Sequence, residues 1–381
     1  ARHLGRVRRE AVDARATAAK AEARASRLGS YRLIRKLGQG GMGEVWIAEH
    51  ELLARAAAIK LVRSDEPQSP AERRAAIERF RREALATAQL TSSNTVRLYD
   101  FGVTADGSLY YVMELLDGLD LETLVGRYGP MPVGRVVRIG LQACNSLAEA
   151  HAAGLIHRDI KPANLFLARQ GLEADVLKLL DFGLVLRQSV AGDAAEGKLF
   201  AGTPAYLAPE TLHGRGLDHR ADMYSLGCVL YWLLSGETVF PVQDSAAKVL
   251  QMHLSERPHP PSARMQRPCP PELDALVLRC LEKQPERRFA DASELRLAFA
   301  AIRIPASEAW TDDDARQWWS RIASNVDAPH AQLDAEAQTV VKRLDPELES
   351  VRATGDRGAT PTDTDRTAVQ TIVPVQLDDS A

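Results

Sequence analysis

From Tyr31 onward the chain reads as short runs in which apolar and polar positions alternate or β-branched residues cluster. YRLIRKLG (31–38), EVWIAEH (44–50) and RAAAIKLV (55–62) are separated by glycines and polar turns, the pattern of an antiparallel sheet. The highly charged stretch 71–90 predicts one helix, and TVRLYDFG (95–102) and LYYVMEL (109–115) predict two further strands. Beyond about residue 118 the period changes. Val137, Leu141, Cys144, Ala148 and His151 recur at 4,3,4,3 spacing and stop before Gly154, a residue type suited to closing a helix. Segments 222–235, 271–282 and 292–302 behave in the same way, and the apolar run VLKLL (176–180) predicts a strand between them. A β-rich portion followed by a longer, largely helical one predicts an α+β, two-lobed fold, with no internal repeat.

The flanks differ in texture. Residues 1–28 are rich in Ala and Arg, which favours helix but offers almost nothing to bury; the expectation is a solvated basic arm. Within 305–344, AWTDDDARQWWSRIA combines a capping Thr311, three acids in a first turn and three of the five tryptophans, which predicts a helix docked on another surface. Residues 345–381 are rich in Asp, Thr and Pro, so disorder is expected there.

Charge sharpens this division. The formal net charge of -3 is the sum of an arm with eight basic against three acidic residues, a tail with three against eight, and a middle with 37 against 40. The ends cancel, and attraction between arm and tail at low salt is one way in which they could act; neither end points to nucleic acid. The four cysteines form no C-x-x-C pair, which argues against a disulfide framework or a cysteine zinc site and fits a reducing compartment. The longest apolar run, 226–234, is half of what a membrane span needs, and no apolar signal segment opens this chain, which starts at Ala1. A soluble, cytoplasmic protein is expected. Thirty-nine arginines against nine lysines, with much alanine, suggest a GC-rich bacterial genome.

Four motifs carry chemistry. Gly38-Gln39-Gly40-Gly41-Met42-Gly43 lets backbone amides approach phosphate oxygens. A dinucleotide-binding turn would need a helix opening at the third glycine, whereas a strand-like run follows, with Val45 two residues on. Lys60 lies in an apolar strand 17 residues after Gly43; the ordinary reading is a snorkelling edge lysine, the functional one a phosphate contact positioned by a carboxylate of the neighbouring helix. Glu83, one turn from Phe80, suits that role better than Glu78. In His157-Arg158-Asp159-Ile160-Lys161-Pro162-Ala163-Asn164, Asp159 could orient a substrate hydroxyl and accept its proton, Lys161 meet a γ-phosphate and Asn164 hold magnesium, the groups phosphoryl transfer requires. Asp181-Phe182-Gly183 follows 17 residues after Asn164, with Asp181 as the second magnesium ligand.

With these motifs residues 31–302 resemble the catalytic domain of eukaryotic-type serine/threonine protein kinases, most closely the bacterial members. The stretch from Gly202 through Thr203 and Pro204 to Pro209-Glu210 is similar to the segment that closes the family's activation loop, Asp222 to its central helix aspartate, and Arg288 to the arginine that pairs with Glu210. The resemblance implies a catalytic domain over 29–304, divided into lobes 29–116 and 117–304. It implies that Lys60, Glu83, Arg158, Asp159, Lys161 and Thr203 serve catalysis. Leu37, Gly38, Gly40, Gly43, Val45, Ala58, Lys60, Met113, Glu114, Leu116, Asn164 and Asp181 would bind Mg-ATP, with Met113 guarding the adenine pocket and Mn2+ as a substitute metal. Lys161 and Thr203 follow the serine/threonine pattern, so the expected substrates are Ser and Thr hydroxyls of proteins, this chain among them, in signal transduction. An ATP-binding scaffold with the same fold is the alternative, and a small-molecule kinase is disfavoured because such enzymes lack the segment ending in Glu210.

Two departures from the family pattern stand out. Residues 194–201 carry no hydroxyl, and between Gly183 and Gly202 Ser189 is the only one. The expectation is that Glu196 or Asp193 supplies a fixed negative charge to Arg158 in place of a phosphate, or that another chain orders the segment; that both acids merely solvate it is an equal alternative. In the tail, Thr360 and Thr362 each have an Asp three residues on, a spacing resembling phosphothreonine motifs read by forkhead-associated domains; a plain solubilising tail is the simpler expectation. Oligomeric state is not legible.

Overall fold

The structure is a computed structural model that describes residues 27–40, 43–62, 69–104, 107–182, 204–213, 217–241 and 246–324. Residues before 27, the segment carrying Gly183, Ser189, Asp193, Glu196 and Thr203, the pair Gly41-Met42 and the tail threonines lie outside the described residues.

Six strands form one sheet: β1 (Arg27–Leu28), β2 (Tyr31–Gly40), β3 (Gly43–His50), β4 (Arg55–Val62), β5 (Leu98–Val103) and β6 (Leu109–Glu114), in the order β1-β2-β3-β4-β6-β5. The chain divides into two compact units. In the smaller, Arg27 and Leu28 pair with Arg32 and Tyr31, Arg32 Nη2 lies 2.7 Å from the Glu49 carboxylate, and the Tyr31 ring meets His50 edge-on at 4.9 Å. The last two residues of the expected solvated arm thus belong to the sheet, because their backbone groups find partners there.

The larger unit holds both cores. Helix α1 (Pro70–Ala88) opens with a capping box: Ser69 Oγ accepts from the Glu72 amide while the Glu72 carboxylate accepts from the Ser69 amide at 2.8 Å. Its buried residues Ala76, Phe80, Ala84 and Thr87 recur at 4,4,3 spacing and press on the inner face of β4 and β6, where Ala58, Val62, Leu109, Tyr111 and Met113 complete the first core. β4 and β6 run antiparallel with Lys60 opposite Tyr111 and Ala58 opposite Met113.

A second, three-stranded sheet of β7 (Asp117–Asp120), β8 (Leu165–Gln170) and β9 (Glu173–Leu179) goes beyond the sequence expectation, which covers only its last strand. Asp117-Gly118-Leu119-Asp120 has too few apolar residues to read as a strand, and its place is fixed by pairing with β8 and by an Arg169–Asp117 contact of 2.6 Å. The main core gathers around α3 (Val133–Ala152) and α5 (Arg220–Ser235), with α2 (Leu121–Tyr128), α7 (Pro271–Cys280) and α8 (Ala292–Ala301) packed on them. The short α4 (Pro209–His213) and α6 (Ala246–Ser255) are the remaining α-helices before residue 302 among the described residues. All four cysteines are free, three of them buried. Among the described residues no helix is long and apolar enough to cross a membrane.

The tryptophan-bearing segment packs against α3 and β9. In α9 (Asp312–Ser324) Thr311 and Asp314 form a reciprocal cap. The indole nitrogens of Trp310 and Trp319 each donate to Asp175 of β9 at 2.8 Å, and Arg135 of α3 adds two bonds at 2.8 and 2.7 Å. The Arg135 guanidinium lies over the rings of Trp310 and Trp318, 4.8 and 4.0 Å from their centroids, so it is both paired and stacked. Gly134 makes the approach of this segment feasible: a Cβ there would stand 2.4 Å from the Glu308 carbonyl.

Candidate active site

The segment 157–164, the catalytic loop by the role the sequence suggests for it, is suspended from one buried carboxylate. Asp222, in the first turn of α5, accepts from the amides of His157 and Arg158 at 2.8 Å each and faces His151 Nε2 at 2.9 Å. Burial alone would push its carboxyl up, but these hydrogen bonds and the neighbouring histidines hold it below the ordinary value. Arg158 adopts φ 64°, a conformation a non-glycine residue keeps only when its surroundings impose it, and Asp222 is what imposes it. The His157 ring bridges to Leu180 O at 2.7 Å and lies 4.7 Å from the Phe182 ring. Burial pushes the His157 pKa down, against the opposing pull of the Asp222 charge, the Leu180 carbonyl and the Asp159 and Asp181 carboxylates.

On this frame Asp159 is held from two sides. Its Oδ2 accepts from Lys161 Nζ at 2.8 Å and from Asn164 Nδ2 at 2.9 Å, and Asn164 Nδ2 also donates to the Asp159 carbonyl at 2.8 Å. The amide hydrogens of Asn164 are thus committed to Asp159, which leaves its side-chain oxygen as the group to face a cation. The Asn164 backbone carbonyl in turn accepts from the Leu180 amide at 2.9 Å, tying the catalytic loop to the residue before Asp181.

Asp181, at φ 59°, has one oxygen 2.6 Å from Lys60 Nζ, and the other accepts from the Tyr111 hydroxyl. Burial would raise its pKa; the Lys60 ammonium, the two hydrogen bonds and His157 together hold it below the ordinary value. Tyr111, 2% exposed, is pushed well up by burial and by the Asp181 charge. Asp181 and Asn164 offer hard oxygen donors of the kind Mg2+ takes, so the residues present fit that ion.

Of the sequence-predicted residues, Asp159, Lys161 and Asn164 come together, as do Lys60 and Asp181. Glu83 does not join Lys60: among the described residues it has no ion pair, and burial raises its pKa against the opposing charges of Arg158, Arg79 and Arg82. Met113 is buried opposite Ala58, Leu116 and Val45 pack against the first core, and the Glu114 carboxylate is taken by Lys178 Nζ at 2.9 Å. Leu37, Gly38 and Gly40 lie in β2. At Gly43, φ is 136° and a Cβ would stand 1.8 Å from the Leu61 carbonyl, so only glycine fits where the hairpin crosses β4. Arg288 donates to both oxygens of Glu210 at 2.6 and 2.8 Å, the pairing the sequence suggested. A hollow beside Asp159 is lined by Arg158, Lys161, Tyr206, Leu207 and Thr211.

Tyr111 and Lys178 escaped the sequence reading. Both carried a signal: Tyr111 is in phase with Met113 on a two-residue period, and Lys178 is a lone charge in an apolar strand, as Lys60 is.

These arrangements define a protein kinase catalytic fold. The family description "Protein kinase domain" matches residues 31–299, and the chain belongs to that family. It is 38% identical over 272 residues to serine/threonine-protein kinase Pkn1 of Myxococcus xanthus, covering 71% of this chain and 38% of that one. It is 38% identical over 307 residues to serine/threonine-protein kinase PknB of Mycobacterium tuberculosis, covering 78% and 47%. The chain therefore spans half or less of these relatives. Among solved structures, the kinase domain of Mycobacterium tuberculosis PknI, as a double mutant, aligns at TM-score 0.55 and 28% identity over 71% of this chain and 95% of that one.

Proposed function

We propose that the chain transfers the γ-phosphoryl group of Mg-ATP to Ser and Thr hydroxyls of proteins. The observation that carries this reading is the double hold on Asp159 by Lys161 and Asn164, on a loop hung from Asp222. A carboxylate fixed in this way orients an acceptor hydroxyl and takes its proton, and Lys161 stands beside it to meet charge on the transferring group. The hollow next to Asp159 is where an acceptor segment would lie. When bound, Mg2+ or its substitute Mn2+, held by Asn164 and Asp181, would neutralise charge on phosphate oxygens. Lys60 is committed to Asp181 in this state; binding of the nucleotide would turn its ammonium to phosphate oxygens, and pairing with Glu83, which it does not make here, would belong to that state.

Phosphate incorporation from labelled ATP should be seen with this chain and be lost in Asp159→Asn. Equal signals from the two would discard the enzyme in favour of an ATP-binding scaffold, which the Lys60–Asp181 pairing also accommodates. The same assay addresses self-phosphorylation, and mass mapping of Thr360 and Thr362 tests recruitment of a forkhead-associated reader. Soluble fractionation would test the cytoplasmic expectation.

A further inference from the structure

We propose that Tyr111 is a positioning residue for metal binding, the outer partner that fixes the Asp181 carboxylate for its cation. The inference rests on the reading of Asp181 as a metal ligand.

The phenol belongs to β6, directly opposite Lys60 in the antiparallel register, and its ring lies 5.9 Å from Lys60 Nζ. The two side chains therefore rise from adjacent strands toward the same carboxylate, each taking a different oxygen. Two anchors fix both the position and the rotation of the carboxylate plane, which a single lysine contact would leave free to turn. The ring itself is locked, buried among Phe80, Ala84 and Met113 in the first core and 6.4 Å from the Phe80 ring.

The chemistry of the alternatives disfavours a purely packing role. A phenylalanine would fill the same core volume; the hydroxyl adds only a polar atom in a buried setting, where a donor without a partner is destabilising. Its partner is Asp181. Any state in which Asp181 turns away strands that hydroxyl, so the same bond that orients the carboxylate also resists its departure. A neutral phenol spends one lone pair of Oδ1 and leaves the remaining lone pairs of the carboxylate for a cation. Ligating carboxylates are commonly held in this way, and loss of such an outer partner lowers metal affinity about 10- to 100-fold.

The test is Mn2+ binding to the full chain, read by electron paramagnetic resonance in the presence of a non-hydrolysable ATP analogue, for the wild-type chain, Tyr111→Phe, Asp181→Asn, the double variant and Tyr110→Phe. Tyr110 alternates to the other face of the strand and serves as the control. We expect Tyr111→Phe to weaken Mn2+ binding about 10-fold or more in a chain that remains folded by circular dichroism, Tyr110→Phe to match wild type, and Tyr111→Phe to add nothing once Asp181 is Asn, since the two act as one unit. Wild-type affinity in a folded Tyr111→Phe, or a full Tyr111→Phe effect in the Asp181→Asn background, would overturn the inference while leaving the metal reading intact. Equal Mn2+ binding by wild type and Asp181→Asn would overturn both.

Discussion

Asp175 and Asp181 lie six residues apart, both in left-handed backbone at φ 58° and 59°, and both face a basic side chain from another element. Asp175 takes four donors, two from Arg135 and one from each of Trp310 and Trp319, and its side chain is 0% exposed. Asp181 takes two, from Lys60 and Tyr111, and is 13% exposed. A carboxylate can accept about four hydrogen bonds. The first is therefore saturated and closed to anything else; the second is held firmly with acceptor capacity to spare. Identical residue type and backbone strain thus separate into a saturated structural rivet and a carboxylate with acceptor capacity left, according to how many donors the fold supplies. The cations follow the same division: the guanidinium of Arg135 is stacked between indoles and cannot leave, whereas the single-point contact of Lys60 is one that a phosphate could replace.

The largest effects should separate the two aspartates by the kind of loss. Asp181→Asn should lower phosphotransfer by about 10³-fold, the scale for removing one group that stabilises developing charge, while the chain still folds. Asp175→Asn should lower unfolding free energy by about 3–5 kcal/mol, the usual result of breaking a buried pair and stranding its cation, while turnover per folded molecule is retained. Urea denaturation paired with a phosphotransfer assay reads both. If Asp175→Asn abolished turnover without loss of stability, the division would be wrong.

How much of this contrast the sequence could show follows from chain distance. The residues of the catalytic loop, Asp159, Lys161 and Asn164, lie within six positions of one another, so spacing alone proposes their meeting. Lys60 and Asp181 are 121 residues apart and no spacing links them; the position of Glu83 in its helix suggests it as the partner of Lys60, whereas the structure gives Lys60 to Asp181. The Asp175 cluster gathers residues from α3, β9 and the segment around α9, and no local pattern links Arg135 to Trp319. What the sequence could say was that a helix with two adjacent tryptophans and a well-formed cap needs a surface to cover. The three-stranded sheet was missed for a related reason: β7 owes its conformation to its neighbour's hydrogen bonds rather than to its own residues.

A buried base without a counter-charge sharpens the comparison from the opposite sign. His253 is 0% exposed; its Nδ1 faces the Tyr224 hydroxyl at 2.9 Å, its Nε2 has no hydrogen-bond partner among the described residues, and Lys283 stands against the same Tyr224 ring, 5.7 Å away. Burial first, and then the Lys283 charge, push its pKa down to about 4, against a weaker opposing pull from the Ala205 backbone. A folded-state value below the unfolded one means that the unfolded chain takes up the proton first. The stability associated with a neutral His253 is thus complete above about pH 6.5 and is lost as pH falls toward 4, by about 3 kcal/mol in all. Urea midpoints at pH 7, 6 and 5 should show the decline, and His253→Leu should flatten its slope. An unchanged slope would mean that water or a backbone carbonyl satisfies the protonated ring.

The smallest effect tests whether saturation at Asp175 is graded or all-or-none. Trp319→Phe keeps an aromatic ring in the core and removes only one of the four donors; Arg135 and Trp310 remain on the carboxylate. Each net hydrogen bond contributes about 1 kcal/mol, so the loss in unfolding free energy should be near that figure, well below that of Asp175→Asn. The two variants should also be less than additive, because Asp175→Asn already weakens the acceptor that Trp319 serves. A Trp319→Phe loss as large as that of Asp175→Asn would instead show that α9 undocks as one unit when any donor is withdrawn. Limited proteolysis between residues 302 and 310 distinguishes the cases: accelerated cleavage at that connection accompanies undocking, and the wild-type rate accompanies the graded loss of a single bond.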